Sequence, residues 1–304
     1  MGFFIGNKNK FITLLVCLFA VAMVCFPQVT EAGSKSAIII WANSIVPVLL
    51  PFFIFSDFIK RTGNLEKLPP RVYPFAVAVL SGYPMGAKVT ADLVMQGRLN
   101  VSQGRQVLSY AMVTGPAFLM GTIGGFLGSQ NAAAAVLLSH YTGALLNGLL
   151  WQENGTKYNR PVSRTAAYDS RPGRLMEHFS ASILAGFKAM AVILAYLMFF
   201  MIGMNLLDYA GLSAVIKNET AVCFLKGMLE MTAGSSMIGV CNITQKTKTV
   251  LISVLVSFGG LSVIGQSASM AEGSGIGTVD ILLRKVSHGL ISGILAVILV
   301  QFMI

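Results

Sequence analysis

The stretch LSGYPMGAKVTADL, residues 80–93, decides how this chain folds. Gly82 can adopt backbone conformations that are closed to other residues, and Pro84 has no backbone N–H to donate. A helix over 72–80 should therefore end at Ser81 and Gly82. A second helix should start near Pro84, so that free backbone N–H groups point into the break between the two helices.

The composition indicates a polytopic membrane protein. Hydrophobic residues make up 55% of the 304 residues, charged residues make up 11%, and the mean hydropathy is +0.72. Most of the runs without a charged residue approach or exceed the roughly 20 residues that a helix needs to cross hydrocarbon. These runs are 11–27, 36–56, 106–152, 189–207, 249–271 and 286–304. We predict an all-α fold, because a helix satisfies its backbone hydrogen bonds internally within a bilayer.

The net charge of +10 is interpreted as a topology signal. Lys and Arg concentrate in cytoplasmic loops, so the basic balance indicates a lipid bilayer as partner and no nucleic acid. Basic clusters precede the first predicted span, 11–28, and follow the second, 36–59, which places the N-terminus inside. They comprise Lys8 and Lys10, then Lys60, Arg61, Lys67 and Arg71. Residues 1–32 are predicted to form an N-terminal transmembrane helix or, alternatively, a cleaved signal peptide.

The cysteines and histidines give no sign of a metal or cofactor site. The four cysteines fall inside or beside apolar segments without a Cys-x-x-Cys pair, and the three histidines are dispersed. We expect no metal and no cofactor. We also expect no enzymatic activity, because no pattern of a nucleophile with its base is present.

The second half of the chain repeats the first at low resolution. The matching segments are LSGYP at 80–84 with TAGSS at 232–236, VTGPAFLMGTIGG at 113–125 with SFGGLSVIGQSAS at 257–269, and SHYTGALLNGLL at 139–150 with SHGLISGILAVI at 287–298. If the first repeat starts inward and the second outward, the two units are inverted in the membrane. Inverted repeats with interrupted helices are typical of secondary transporters.

Three segments follow from this repeat. Residues 33–152 form the first predicted transport repeat, with a re-entrant hairpin at about 72–97. Residues 178–304 form the second, with a hairpin at about 221–244. Residues 153–177 form a basic cytoplasmic linker, which is interpreted as lying near anionic lipid or, alternatively, as a regulatory partner site.

The predicted break at Ser81 and Gly82 offers an anion site. A helix N-terminus carries a partial positive charge and free N–H donors, and Lys88, one turn further, adds a full charge. Asp92 would hold the Lys88 ammonium in the absence of substrate. The alternative is that Lys88 and Asp92 form only a buried ion pair that stabilises the hairpin.

A second break is predicted at Thr114-Gly115-Pro116, and the corresponding Gly234-Ser235-Ser236 and Gly265-Gln266-Ser267 would supply similar small polar groups from the other half. Four half-helices that cross near the bilayer midplane would make one polar pocket. Alternatively, these glycines serve only close helix packing. The predicted substrate-binding residues are Ser81, Gly82, Tyr83, Lys88, Thr114, Gly115, Ser235, Gln266 and Ser267.

Two further titratable residues are candidates for coupling transport to an ion. Glu230 is expected either to pair with Lys226 or to bind the proton or sodium ion that drives transport. His140 is the best candidate for a group that titrates near neutral pH. Arg284 and Lys285 are interpreted as cytoplasmic charges that set the topology.

Four strings carry a family resemblance: LLPFFIFSDFI at 49–59, SGYPMGAKVTADL at 81–93, HYTGALLNGLL at 140–150 and FGGLSVIGQSAS at 258–269. The chain resembles the YlbJ-type sporulation integral membrane proteins, also called stage V sporulation protein V, which carry a nucleoside-recognition "gate" domain. The resemblance runs from about residue 10 to 300. It implies carriage of dipicolinate from the mother cell across the outer forespore membrane of a spore-forming bacterium. The chain departs from the family pattern at Gly115, where the family has Asn, and at Ile264, where it has His.

A substrate of the implied class suits the predicted pocket. Dipicolinate is a small flat dianion, for which Lys88 supplies positive charge and Tyr83 a ring that can stack on the pyridine. We therefore predict a transporter of a small organic anion that works by alternating access and is able to form a homo-oligomer. The alternatives are a nucleoside or other organic-solute carrier, and a non-transporting membrane scaffold required for spore maturation.

Overall fold

The computed structural model describes residues 2–61, 67–152 and 175–304. No strand occurs within these ranges, so the predicted all-α fold is confirmed. Residues 153–174 of the predicted linker lie outside the described residues. The α-helices of the described ranges are α1 (Gly2–Cys25), α2 (Pro27–Ile40), α3 (Val46–Arg61), α4 (Tyr73–Ser81), α5 (Met85–Met95), α6 (Val101–Ala111), α7 (Gly124–Leu127), α8 (Gln130–Leu150), α9 (Leu175–Tyr209), α10 (Leu212–Val215), α11 (Glu219–Leu229), α12 (Met231–Val240), α13 (Gln245–Phe258), α14 (Gly260–Met270) and α15 (Thr278–Met303).

Five helical segments of the described ranges are long and apolar enough to cross a membrane, which confirms the predicted multi-pass character. They are Pro27–Arg61, Gln130–Leu150, Leu175–Tyr209, Gln245–Met270 and Thr278–Met303. The first of these differs from the predicted span 36–59, because its helix begins at Pro27. Proline fits the first helical position, where its missing N–H has no intrahelical acceptor. The π-helical segment Trp41–Ile45 then joins α2 to α3.

The same order of elements occurs twice along the chain. A long helix is followed by two short helices, then by an interrupted helix, then by another long helix. In the first half these elements are Pro27–Arg61, α4 with α5, α6 with the helical segment 118–127, and α8; in the second half they are α9, α11 with α12, α13 with α14, and α15. The short-helix pairs occupy the segments predicted as hairpins. The inverted orientation of the two halves in a membrane stays a prediction.

The second half is interrupted earlier than the sequence predicts. The breaks lie at Glu230, between α11 and α12, and at Gly259-Gly260, between α13 and α14. Glu230 is extended and accepts a hydrogen bond from Ala233 N (2.6 Å), which starts α12. Gly259 and Gly260 have φ values of 86° and 73°, a region that favours glycine.

The predicted break at Gly234-Ser235-Ser236 is instead continuous helix within α12. An added Cβ at Gly234 would lie 2.0 Å from Gly227 Cα, so this glycine allows α11 and α12 to pack closely. Gly265-Gln266-Ser267 likewise lies inside α14. At Gly234 the small-residue string therefore marks close packing and not an interruption, as one alternative interpretation held, whereas an added Cβ at Gly265 would meet no atom within 4 Å.

Helices α8, α13 and α15 pack against one another at the core of the described residues. α8 and α15 approach closely at Gly143, where an added Cβ would lie 2.2 Å from Ser292 Oγ. His140 and His288, the residues that the internal repeat aligns, meet in this core with ring centroids 4.9 Å apart. The packing of the two long helices therefore brings equivalent positions of the two halves together.

Candidate substrate site

The two breaks of the first half touch each other. α4 ends at Ser81, and Gly82 has a φ of 65°, so the chain turns where an L side chain is strained. An added Cβ at Gly82 would lie 3.3 Å from Gly115 N. Ser81 Oγ shares a 2.6 Å hydrogen bond with Ser56 Oγ of α3. This contact fixes the end of α4 against a long helix.

The interruption after α6 is held by side chains of α8. Thr114 N donates to His140 Nε2 (3.1 Å), and Tyr141 Oη donates to Thr114 O (2.8 Å). His140 must therefore carry its proton on Nδ1, which faces Ser257 Oγ at 2.8 Å. The N–H and C=O groups of Thr114 therefore form hydrogen bonds inside the protein. Such bonds are needed at membrane depth, because hydrocarbon offers backbone groups no partner.

The two breaks of the second half also touch. An added Cβ at Gly260 would lie 3.0 Å from Leu229 O and 3.1 Å from Met231 N. The Glu230 carboxylate, 5% exposed, caps α12 and forms no ion pair with any described residue. Lys226, its predicted partner, pairs with Asp208. The alternative that Lys226 and Glu230 pair is therefore wrong, because the cap turns Glu230 towards its own helix.

One cavity, which we call the central cavity, is lined by residues at or beside all four breaks. Its empty volume is about 650 Å³, a figure that includes the part that opens outward. Side chains of α3 and α9 line much of the remaining wall. The lining residues at and near the breaks are Ser81, Gly82, Tyr83, Thr114, Gly115, Glu230, Met231, Thr232, Ser262 and Gln266.

Several helices begin close to the central cavity. α5, α12, α14 and the helical segment 118–127 each begin within a few residues of the lining. Helix N-termini carry partial positive charge and N–H groups without an intrahelical acceptor. Ser262 Oγ, on a residue 1% exposed, has no hydrogen-bond partner among the described residues. The lining thus offers donors to a polar ligand, while Glu230 is the carboxylate within it.

The structure brings together most of the predicted substrate-binding residues and leaves three aside. Ser81, Gly82, Tyr83, Thr114, Gly115 and Gln266 line the central cavity. Lys88 lies outside this lining and pairs with Asp92 at 3.3 Å, as both interpretations of the sequence predicted, but the pair is half-exposed and not buried as one of them held. Ser235 and Ser267 are fully buried in their helices, outside the lining. The breaks of the second half lie several residues before Ser235 and Ser267 in the chain, so both serines fall inside continuous helix.

Lys285 is a central residue that the sequence interpretation missed. It is 1% exposed, and Nζ donates to Tyr83 Oη (2.6 Å), Met112 O (3.0 Å) and His288 Nδ1 (3.4 Å). Three donors of an ammonium thus meet three neutral acceptors. No carboxylate forms an ion pair with Lys285 among the described residues. Arg284 and Lys285, interpreted as cytoplasmic charges that set the topology, are both buried side chains within α15, and their side of the membrane stays a prediction.

The Lys285 cluster ties the cavity wall to the core. Nζ lies 4.5 Å from the centroid of the Tyr83 ring, a cation–π distance, and Tyr83 Oη donates to Val256 O (3.1 Å). His288 Nε2 donates to His140 O (2.9 Å), so its Nδ1 is free to accept from Lys285. The sequence signal that could have indicated this cluster is Lys285, which lies three positions before His288 on α15.

No group of three or more His, Cys, Asp or Glu side chains within the described ranges is arranged to hold a metal ion. The thiols of Cys223 and Cys241 approach each other, with sulfur atoms 3.6 Å apart. Neither thiol lines the central cavity.

Comparison with known proteins adds one relative. No family model matches the chain, and no solved structure is similar to it. The sporulation integral membrane protein YlbJ of Bacillus subtilis (strain 168) is 23% identical over 344 aligned positions, which cover 96% of this chain and 84% of the relative. The gate domain stays a prediction. The predicted resemblance to the YlbJ-type sporulation integral membrane proteins is therefore confirmed over almost the whole chain.

Proposed function

We propose that the protein is a carrier that moves a small organic anion across a membrane by alternating access. The first substrate to test is dipicolinate, moved from the mother cell towards the forespore. The observation that carries this proposal is the central cavity, lined at or beside the breaks of four interrupted segments, two from each half. The relationship to a sporulation membrane protein supports the biological setting.

The interruptions support a carrier over a scaffold. Broken helices at membrane depth are tolerated where they are buried in protein or line a cavity, and carriers use them to contact substrate. Here each half brings its two breaks into contact, at Gly82 with Gly115 and at Gly260 with Leu229. A rocking motion of one half against the other would expose the cavity to each side in turn.

The charge around the central cavity supports an anionic substrate. Four helices begin within a few residues of its lining, where helix N-termini carry partial positive charge, and Lys285 donates a hydrogen bond to Tyr83, which lines it. A dicarboxylate would accept from the backbone N–H groups and from Ser262. The aromatic rings of the lining, such as Phe52 and Tyr83, suit a flat ring.

Glu230 is proposed as the group that binds the driving ion. It is buried, lines the central cavity and has no cationic partner among the described residues. A proton or sodium ion on this carboxylate would remove the repulsion between Glu230 and an anionic substrate. Ion and substrate would then bind together and leave together.

The test is uptake of labelled dipicolinate into proteoliposomes of the purified chain under proton and sodium gradients. We expect saturable uptake, competition by other small dicarboxylates and none by neutral nucleosides. Gln266→Leu, which removes a polar group of the lining, should reduce uptake, whereas the exposed Gln301→Leu should not. Competition by nucleosides would favour the nucleoside carrier. Absence of uptake of any of these solutes by folded protein would favour the scaffold.

A further inference from the structure

A second cavity, which we call the lysine vestibule, adjoins the central cavity. It lies between α3, α5 and α9, and its empty volume is about 1010 Å³, including its open part. The two cavities share a wall. The shared residues are Phe53, Ser81, Tyr83, Ile193 and Gln266.

Three helices each supply a lysine to the vestibule: Lys60 from α3, Lys88 from α5 and Lys188 from α9. The carboxylate of the lining is Asp57, which lies 3.5 Å from Lys60 Nζ and also pairs with Arg61. Lys88 pairs with Asp92. Four cations, Lys60, Arg61, Lys88 and Lys188, thus stand against the two carboxylates Asp57 and Asp92, so two positive charges remain in excess.

Lys60 is the most shielded of these lysines, whereas Lys88 is half-exposed and Lys188 is exposed. The side chain of Lys60 is 15% exposed, and Lys88 lies close enough to Lys60 for their like charges to repel. Lys188 forms no ion pair with a described residue. A concave site lined by charges of one sign concentrates ions of the opposite sign. A dianion would neutralise the excess of two charges.

We infer that the lysine vestibule is a binding site for a small dicarboxylate that precedes the central cavity. The substrate binds between Lys88 and Lys188 and then passes the wall formed by Tyr83 and Gln266. Lys60, next to Arg61 at the end of α3, lies on the face that the sequence predicts to be cytoplasmic, so the vestibule loads cytoplasmic substrate. This inference rests on the proposed function.

The transport test compares Lys88→Gln and Lys188→Gln with Lys35→Gln in liposomes of neutral lipid. Lys35 is an exposed lysine outside both cavities, paired with Glu31. We expect each vestibule variant to raise KM for dipicolinate by about threefold to tenfold, with kcat changed by less than about twofold, because a partly screened charge is lost. The KM of the wild type should rise with salt, and this rise should shrink in both variants. An unchanged KM in both would overturn the inference.

A binding test does not depend on transport. Purified chain in nanodiscs of neutral lipid is treated with a lysine-acetylating reagent, with and without dipicolinate, and modification is measured by mass spectrometry. We expect dipicolinate to protect Lys88 and Lys188 but not Lys35. Protection without uptake would support the vestibule site while the proposed carrier fails. Absence of protection would overturn the site even if uptake occurs.

A lipid headgroup offers the same anionic chemistry as a dicarboxylate. Repeating the acetylation in nanodiscs that contain phosphatidylglycerol separates the two sources. Protection by dipicolinate in both lipids supports the inference. Protection by phosphatidylglycerol alone, with no effect of dipicolinate in neutral lipid, would overturn it.

Discussion

Lys88, which lines the lysine vestibule, and Lys285, which donates a hydrogen bond to Tyr83 of the cavity wall, lie in opposite environments. Lys88 has a side chain that is 45% exposed and pairs with a carboxylate one turn away. Lys285 is 1% exposed and meets neutral acceptors from three different segments. A half-exposed pair gains little free energy and exchanges partners readily, whereas a buried cation depends on every hydrogen bond around it. Lys88 is thus suited to meet substrate, and Lys285 to hold the cavity wall.

The largest effect is expected for Lys285→Met. This change leaves Met112 O and His288 Nδ1 without their donor, at a cost of about 1–3 kcal/mol for each buried acceptor. We expect dipicolinate uptake to be abolished and thermal stability in detergent to fall. The matched Lys35→Met, at an exposed pair, should change neither quantity. Full uptake by a stable Lys285→Met protein would contradict the role assigned to this lysine.

Substitutions of Glu230 separate the effect of its negative charge from the effect of its capping hydrogen bond. Glu230→Gln keeps an oxygen that accepts from Ala233 N, so stability should change little, while uptake should lose its response to an imposed ion gradient. Glu230→Ala also removes the cap and should lower the free energy of unfolding by about 1 kcal/mol. Equal gradient responses of Glu230→Gln and wild type would remove Glu230 from the coupling step.

Ser257→Ala tests how far the Lys285 cluster extends. The change removes the partner of His140 Nδ1, the nitrogen that fixes which tautomer accepts from Thr114 N. We expect a loss of about 1 kcal/mol in the free energy of unfolding and a reduction of uptake by a few fold. Ser253→Ala, one turn earlier on α13, is the control for uptake, because Ser253 Oγ accepts from Ser139 Oγ (3.2 Å) and not from a histidine. The same uptake in both variants would confine the cluster to Lys285, Tyr83 and His288.

The smallest effect is expected for Asp92→Asn. An exposed pair four residues apart on a helix contributes about 0.3–0.5 kcal/mol, so stability should be nearly unchanged. The freed Lys88 ammonium should bind substrate slightly more tightly and lower KM by less than about threefold. Asp57→Asn provides the contrast, because Asp57 holds both Lys60 and Arg61. A raised KM in Asp92→Asn would show that the carboxylate assists binding.

Local sequence chemistry was sufficient for the breaks of the first half. Gly82 and Pro84, and Gly115 and Pro116, restrict the backbone so strongly that their positions could be predicted from residue types alone. The second half has no proline at its breaks. Glu230 lies at the break between α11 and α12 and caps the start of α12. In the sequence this residue cannot be told from a glutamate inside a helix, because its capping role depends on the local fold.

The sequence by itself determined an all-α membrane protein with interrupted helices, because hydropathy and backbone restriction are properties of neighbouring residues. Only the tertiary structure decided which lysine is buried. Lys285 looked like a topology charge beside Arg284, yet its partners Tyr83 and Met112 are more than 170 residues away. The environment of a charge is set by the helices packed around it. The residues next to it in the sequence do not show which distant segments will pack there.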